Sequence, residues 1–262
     1  MSDAPGVQPA DIYPPQATVG LAITTFAAAP HVHLHLEARR RFYPDVPLLV
    51  HDDGSDVQPQ LAQLCADYGV EFRASGLRRG HHLGDVGGIY AGLKWAEEKR
   101  FDLLAKFSRR FIPLHDWRPD LLRLAHETQA RTFNNVCLNI NWGFRTEALA
   151  MHIPSWIGVL PLFEKELATR APSLWYTPGG VVCEKFVHGA ARKVAATAKW
   201  KDDRPRWCNG YAPWGILGDN RRIKVPNVLW HHSSPANAYY ELALQWGLPY
   251  QRGDFFAPHL RA

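Results

Sequence analysis

The sequence predicts an α/β fold built on a mostly parallel, twisted sheet with helices on both faces. Three observations carry this. Strand and helix patterns alternate through the first half of the chain. The second strand ends in paired carboxylates, Asp52 and Asp53, followed by Gly54-Ser55. The fourth ends in cations, Ser108-Arg109-Arg110, with Lys106 inside the strand. In parallel sheets ligands sit beyond the carboxyl ends of the strands, and both charged segments fall there. Carboxylates can accept bonds from a base or ribose, and guanidinium forks can bind phosphate oxygens. Together they describe a pocket for a nucleotide with a charged tail.

The elements follow in order. Residues 18–26 (TVGLAITTF) have the β-branched, apolar composition of a buried strand. Residues 31–42 are polar and suit a helix. Residues 47–51 form a second strand, closed by the turn signal Asp53-Gly54. Over residues 58–68, Leu61, Leu64 and Cys65 share a helical face, and Gly69 suits the C-terminal cap. A third strand spans 70–74. A glycine-rich turn then leads into a helix over 86–98, and a fourth strand spans 103–107. This β-α-β-α-β-α-β order argues for parallel strands joined by crossovers. The second half is less regular. It carries a helix at 119–129, a strand at 131–140, a helix at 181–194, a charged and aromatic loop at 199–211 and a late helix at 236–246.

At 262 residues, with 46% hydrophobic and 21% charged side chains, the chain has the means for a sizeable core. No run approaches the ~18 apolar residues of a membrane span. Residues 1–16 are Pro-rich and polar, without a cationic start and apolar middle. They read as a flexible leader and not as a secretion signal, so a cytoplasmic location is the default expectation. The four cysteines lie far apart with no CxxC pair, which favours core thiols over a disulfide set or metal site. The net charge of +5 fits an anionic ligand. The cations fall in scattered pairs without a stripe, so nucleic acid is not an expected partner.

The chain resembles the inverting, family-2-like glycosyltransferases of the GT-A fold. The residues that carry the resemblance are Leu21-Ala22-Ile23-Thr24-Thr25-Phe26, Val50-His51-Asp52-Asp53-Gly54-Ser55-Asp56, the turn from Gly80 to Gly88, the fourth strand, and Pro113-Leu114-His115-Asp116-Trp117. The resemblance covers residues 18–118 and fades beyond them. It implies a single GT-A-like, Rossmann-like domain over 17–262. Residues 17–118 would hold the nucleotide-sugar, and an irregular half, 119–262, would hold the acceptor. The implied reaction moves a hexosyl or related group to an acceptor hydroxyl with inversion. The acceptor would be a glycan, a lipid-linked molecule or a protein. A lipid-linked one would bring the chain to the inner-membrane surface. The alternative is a non-catalytic nucleotide- or carbohydrate-binding module of the same fold. A nucleotidyltransferase of similar topology is disfavoured, because no glycine-rich loop follows the first strand.

One departure from the family is informative. Where the family has Asp-x-Asp and a divalent cation, this chain has Ser108-Arg109-Arg110. Arginine cannot ligate a cation, and two would repel one. The expectation is therefore a transferase without a metal or other cofactor, in which Lys106, Arg109 or Arg110 replaces the ion. Thr24, Thr25, Asp52 and Asp53 are the implied base and ribose contacts, against strand propensity for the threonines and a self-bonded Asp turn for the carboxylates. Asp85 either bonds donor-sugar hydroxyls or caps the helix behind it. The resemblance puts the base that deprotonates the acceptor at Glu184, with Glu147 as competitor. It puts His231, with Arg221, near the diphosphate. Trp142, Trp207 and Trp214 are candidate acceptor platforms.

Overall fold

The computed structural model describes residues 11–134, 146–170, 182–197, 223–225, 228–230 and 237–255. The elements β1 (Val19–Thr25), α1 (Ala29–Phe42), β2 (Leu48–Asp52), α2 (Gln58–Asp67), β3 (Glu71–Ala74), α3 (His81–Lys99) and β4 (Leu103–Ser108) alternate as the sequence predicts. They are followed by β5 (Phe111–Pro113), α4 (Arg118–Thr128), β6 (Thr132–Asn134), β7 (Ala148–His152), α5 (Ile153–Trp156) and α6 (Leu160–Thr169). The remaining described elements are α7 (Val182–Thr197), β8 (Ile223–Val225), β9 (Val228–Trp230) and α8 (Asn237–Gln245).

The main sheet has the order β3-β2-β1-β4-β7-β6. Strands β3, β2, β1 and β4 are parallel, whereas β7 runs antiparallel to β4 and β6 antiparallel to β7. From β1 the chain winds outward through β2 and β3, then returns to the other side of β1 as β4. That reversal makes the β1/β4 boundary the topological switch point, where open α/β sheets form their crevice. The register there pairs Ala22 with Lys106 and Thr24 with Ser108. A smaller antiparallel sheet, β5-β9-β8, stands beyond the turn that ends β4.

Both faces of the main sheet are covered, so its central strands are largely apolar and their polar residues, among them Thr24, Thr25, His51, Asp52 and Lys106, lie toward the carboxyl ends. Side chains alternate along each strand and sort into two cores. Leu21, Ile23, Leu48, Val50, Ala105 and Phe107 pack with α1 in one core. Ala22, Leu49 and Leu104 pack with α3, α6 and α7 in the other. This alternation directs Thr24 and Lys106 to the α3 side. Trp95, Trp117 and Trp156 are fully buried, which makes them core residues. Cys65 and Cys183 are buried free thiols, while Cys137 and Cys208 lie outside the described residues.

The structure corrects several boundaries. Helix α3 starts at His81, five residues before the predicted start. The glycines that signal a turn instead let the helix lie close to the sheet: a Cβ at Gly84 would overlap the Asp53 carboxylate. Of the predicted strand over 131–140, β6 accounts for Thr132–Asn134, and residues 135–140 lie outside the described residues. Strand β7 and the helices α5 and α6 were not legible. The sequence of β7 (ALAMH) lacks the β-branched residues that mark a strand, and its place is fixed by pairing with β4 and β6. Among the described residues no helix is long and apolar enough to cross a membrane.

Candidate active site

Lys106 anchors the site. It sits in β4 with no exposed surface, and its Nζ donates to Asp85 Oδ1 at 3.1 Å and to the Thr146 carbonyl at 2.8 Å. A buried ammonium requires this kind of pairing. Asp85 also accepts from the Thr24 hydroxyl at 3.3 Å and from the Thr146 hydroxyl at 3.4 Å. Burial pushes the Asp85 carboxyl up, but the Lys106 ammonium and His81 outweigh it and hold it below the usual carboxylate range. Its side chain keeps 28% exposure, so the pair is sealed at the lysine and open at the aspartate.

Lys106 faces Asp85 and Thr146 and is closed to solvent, so its ammonium is paired within the protein. Asp85 is the fifth residue of α3 and does not cap it; the N-cap position is Gly80.

The paired carboxylates of β2 hold main chain. Asp52, fully buried, accepts from the Ala27 N–H at 3.3 Å and from the Ser55 N–H at 2.7 Å. Asp53 accepts from the N–H groups of Arg79, at 3.1 and 3.2 Å, and Gly80, at 3.0 Å. Both therefore have the self-organising role that Asp turns offer, extended across to the next loop. Burial raises the Asp53 carboxyl to about 6, against the pull of the two N–H groups. Gly54, at φ +69°, completes the seat: a Cβ there would lie 2.5 Å from the Arg78 nitrogen. The loop before α3 thus rests on the β2 turn. It carries Arg78, whose guanidinium lies 3.9 Å from the centroid of the Phe26 ring. Thr25, next to Phe26, has a buried hydroxyl with no hydrogen-bond partner.

The turn Arg109-Arg110 joins β4 to β5 at the switch point. Arg109 donates through Nη1 to the Phe26 carbonyl at 3.0 Å. Burial, with the charge of Arg110, lowers its pKa to about 10, so it remains a cation at neutral pH. The Ser108 N–H donates to the Glu147 carbonyl at 2.7 Å, and the Ser108 hydroxyl accepts from the Arg110 N–H at 3.4 Å. Glu147 is itself buried, at 6% exposure. The charges acting on His81, at the start of α3, are those of Asp85, Arg110, Arg109 and Glu147. Those acting on the Cys183 thiol are Asp85, Glu184 and Lys106. Glu184 lies in the first turn of α7 and is half-buried.

The structure therefore gathers Thr24, Asp85, Lys106, Ser108, Arg109, Arg110 and Glu147 at one end of the sheet, while Glu184 follows Cys183, whose thiol feels the charges of Asp85 and Lys106. Arg221, His231, Trp142, Trp207 and Trp214 lie outside the described residues. Sequence reasoning missed Thr146, whose carbonyl and hydroxyl complete the Lys106–Asp85 group, and His81. Strand alternation, applied to Lys106, would have signalled a partner on α3.

No protein-family model matches the sequence, and no curated protein matches it. Among solved structures the chain is similar to the mannosyltransferase PcManGT from Pyrobaculum calidifontis, determined with GDP-Man and Mn2+. Identity is 12% and the TM-score 0.51, over 87% of this chain and 60% of that one. It is also similar to the glycosyltransferase GlyE from Streptococcus pneumoniae TIGR4, at 13% identity and TM-score 0.49, over 87% of this chain and 60% of that one. A third is an active-site mutant of LgtC, at 11% identity and TM-score 0.49, over 92% and 99%. This chain thus spans less than two thirds of the length of the mannosyltransferase. At these identities the likeness is one of architecture: the six-stranded, mostly parallel sheet is that of the GT-A glycosyltransferase structures.

Proposed function

We propose that this chain is a glycosyltransferase that moves a sugar from a nucleotide-sugar to an acceptor hydroxyl with inversion, using arginine in place of a metal ion. One observation carries the reading. The Arg109-Arg110 turn stands at the β1/β4 switch point, in the same charge cluster as Asp85 and Glu147. Two guanidinium groups occupy the turn where the resembled transferases hold a cation, and their charge disfavours a divalent ion beside them, which supports the metal-free reading.

In this reading the guanidinium groups bind the diphosphate oxygens. They stabilise the charge that develops as the bond between the anomeric carbon and the diphosphate oxygen breaks. The acceptor oxygen attacks from the opposite face. Its proton passes to a carboxylate, Glu184 in preference to Glu147, and a single displacement inverts the anomeric centre. Lys106 acts from beneath, keeping Asp85 ionised beside the donor. A second reading, a non-catalytic binding module, draws on the full engagement of Asp52 and Asp53 with main chain.

A thermal-shift screen against UDP-, GDP-, CMP- and dTDP-sugars separates the possibilities. At least one should raise Tm equally with and without EDTA. Turnover with candidate acceptors should then be lost in Glu184→Gln or Glu147→Gln while the thermal shift persists. Stabilisation that needs Mn2+ or Mg2+ would refute the arginine reading. Binding without any transfer or donor hydrolysis would favour the module.

A further inference from the structure

The Arg109-Arg110 turn is held from outside more firmly than a surface turn requires. Its two flanking carbonyls each accept from a buried side chain of a distant helix. His35 of α1, at 1% exposure, places Nε2 3.2 Å from the Ser108 carbonyl. A carbonyl can only accept, which assigns the proton to Nε2. Burial lowers the His35 pKa to about 4, so the ring is neutral at pH 7. Tyr239 of α8, also at 1% exposure, donates its hydroxyl to the Arg110 carbonyl at 2.7 Å. The two anchors are linked. His31 lies one turn before His35 on the same face of α1, and its ring packs 4.8 Å from that of Tyr239. Adding the Ser108 N–H bond to Glu147 and the Arg109 bond to Phe26, four separate parts of the chain fix three consecutive residues.

We infer that His35 and Tyr239 are positioning residues for the arginine turn, aiming its guanidinium groups by clamping the carbonyls on either side of Arg109. The inference rests on the proposed role of those arginines in binding a diphosphate. A flexible turn would let two like charges splay apart, and misplacing a charge-stabilising group by about 1 Å can lower a rate by about a hundredfold. A metal ion collects its ligands around itself. Guanidinium groups need a scaffold, and α1 and α8 supply it. Both side chains are closed to solvent, so their effect on a ligand passes through the arginines.

The test uses the full chain and inorganic pyrophosphate as the probe, with its Kd measured by calorimetry in EDTA. Tyr239→Phe should weaken binding roughly five- to tenfold, the effect of losing one hydrogen bond. His35→Gln, which keeps an N–H donor, should bind more tightly than His35→Leu. In an Arg109→Ala background the added effect of Tyr239→Phe should shrink, because the two act through one turn. A merely structural role would lower Tm and leave the Kd of the folded protein unchanged. Should His35→Leu fail to fold, the tyrosine variant and the coupling measurement still decide. Tyr239→Phe binding like the wild type, while Arg109→Ala binds weakly, would overturn the positioning role and leave the arginine reading standing. Equal binding by wild type and the Arg109→Ala, Arg110→Ala double variant would overturn both.

Discussion

Lys106 shows how far a residue's surroundings can exceed what its place in the sequence tells. Its cation stands inside β4, as the sequence indicates, and strand alternation turns it to the α3 side, where Asp85 and Thr146 enclose it. The asymmetry of the pair sets the energetics. Removing the aspartate leaves a sealed ammonium without its counter-charge, whereas removing the lysine leaves a carboxylate that water still reaches. Asp85→Ala should therefore destabilise the fold by about 3–5 kcal/mol in urea denaturation. Lys106→Met, which fills similar volume, should destabilise it by clearly less. Equal losses in the two variants would contradict the buried-pair account. The charges at Arg109 and Arg110 stand out in the sequence, but the residue that organises the site, Lys106, lies three positions before Arg109, and its partner in α3 could be read as a helix cap.

At the scale of elements, the β2 turn, the loop after β3 and the start of α3 act as one clamp. Asp53 receives the N–H groups of Arg79 and Gly80, Gly54 lets the loop approach, and Gly84 lets the helix lie over the carboxylate. The Asp-Asp-Gly-Ser segment was visible in the sequence, yet its use here as a seat for main chain was not, because hydrogen-bond partners some 25 residues away leave no local pattern. The glycines misled for a related reason. They signal a turn by composition, but close approach across the sheet is a tertiary requirement. The clamp has a pH signature. The Asp53 carboxyl titrates near 6 in the folded chain, above its ordinary value of 3.8. A group raised in this way favours the folded state below the lower value and loses that contribution as pH rises through the higher one. The stability difference between wild type and Asp53→Asn should thus move in favour of the variant as pH increases from 4 to 7. A difference in Tm that stays constant over that range would refute the raised carboxyl.

Over the whole molecule, the first half was legible because each strand and helix carries its own periodicity and the β-α alternation leaves few topologies. The parallel orientation of β1 to β4 follows from that alternation, while their order β3-β2-β1-β4 comes from the fold. The antiparallel addition of β7 and β6 does not, since Ala148 to His152 reads as a strand only once β4 is beside it. The candidate site divides along the same line. Thr24, Asp52, Asp53 and the Ser108-Arg109-Arg110 segment were legible as strand ends. Thr146, His35 and Tyr239 were not, because each reaches the site from an element that only the fold brings near. The fold holds the Arg109-Arg110 turn from His35 of α1, Tyr239 of α8, Phe26 and Glu147, and in the proposed function these cations act where the resembled transferases use an ion. Calorimetric titration of the sugar nucleotide that gives the largest thermal shift, in EDTA, tests this most directly. The wild type should bind without metal, and the Arg109→Ala, Arg110→Ala double variant should lose at least about a hundredfold in affinity, two charged hydrogen-bond partners being removed. Undiminished binding by the double variant, or binding by the wild type only when Mn2+ is restored, would contradict the account.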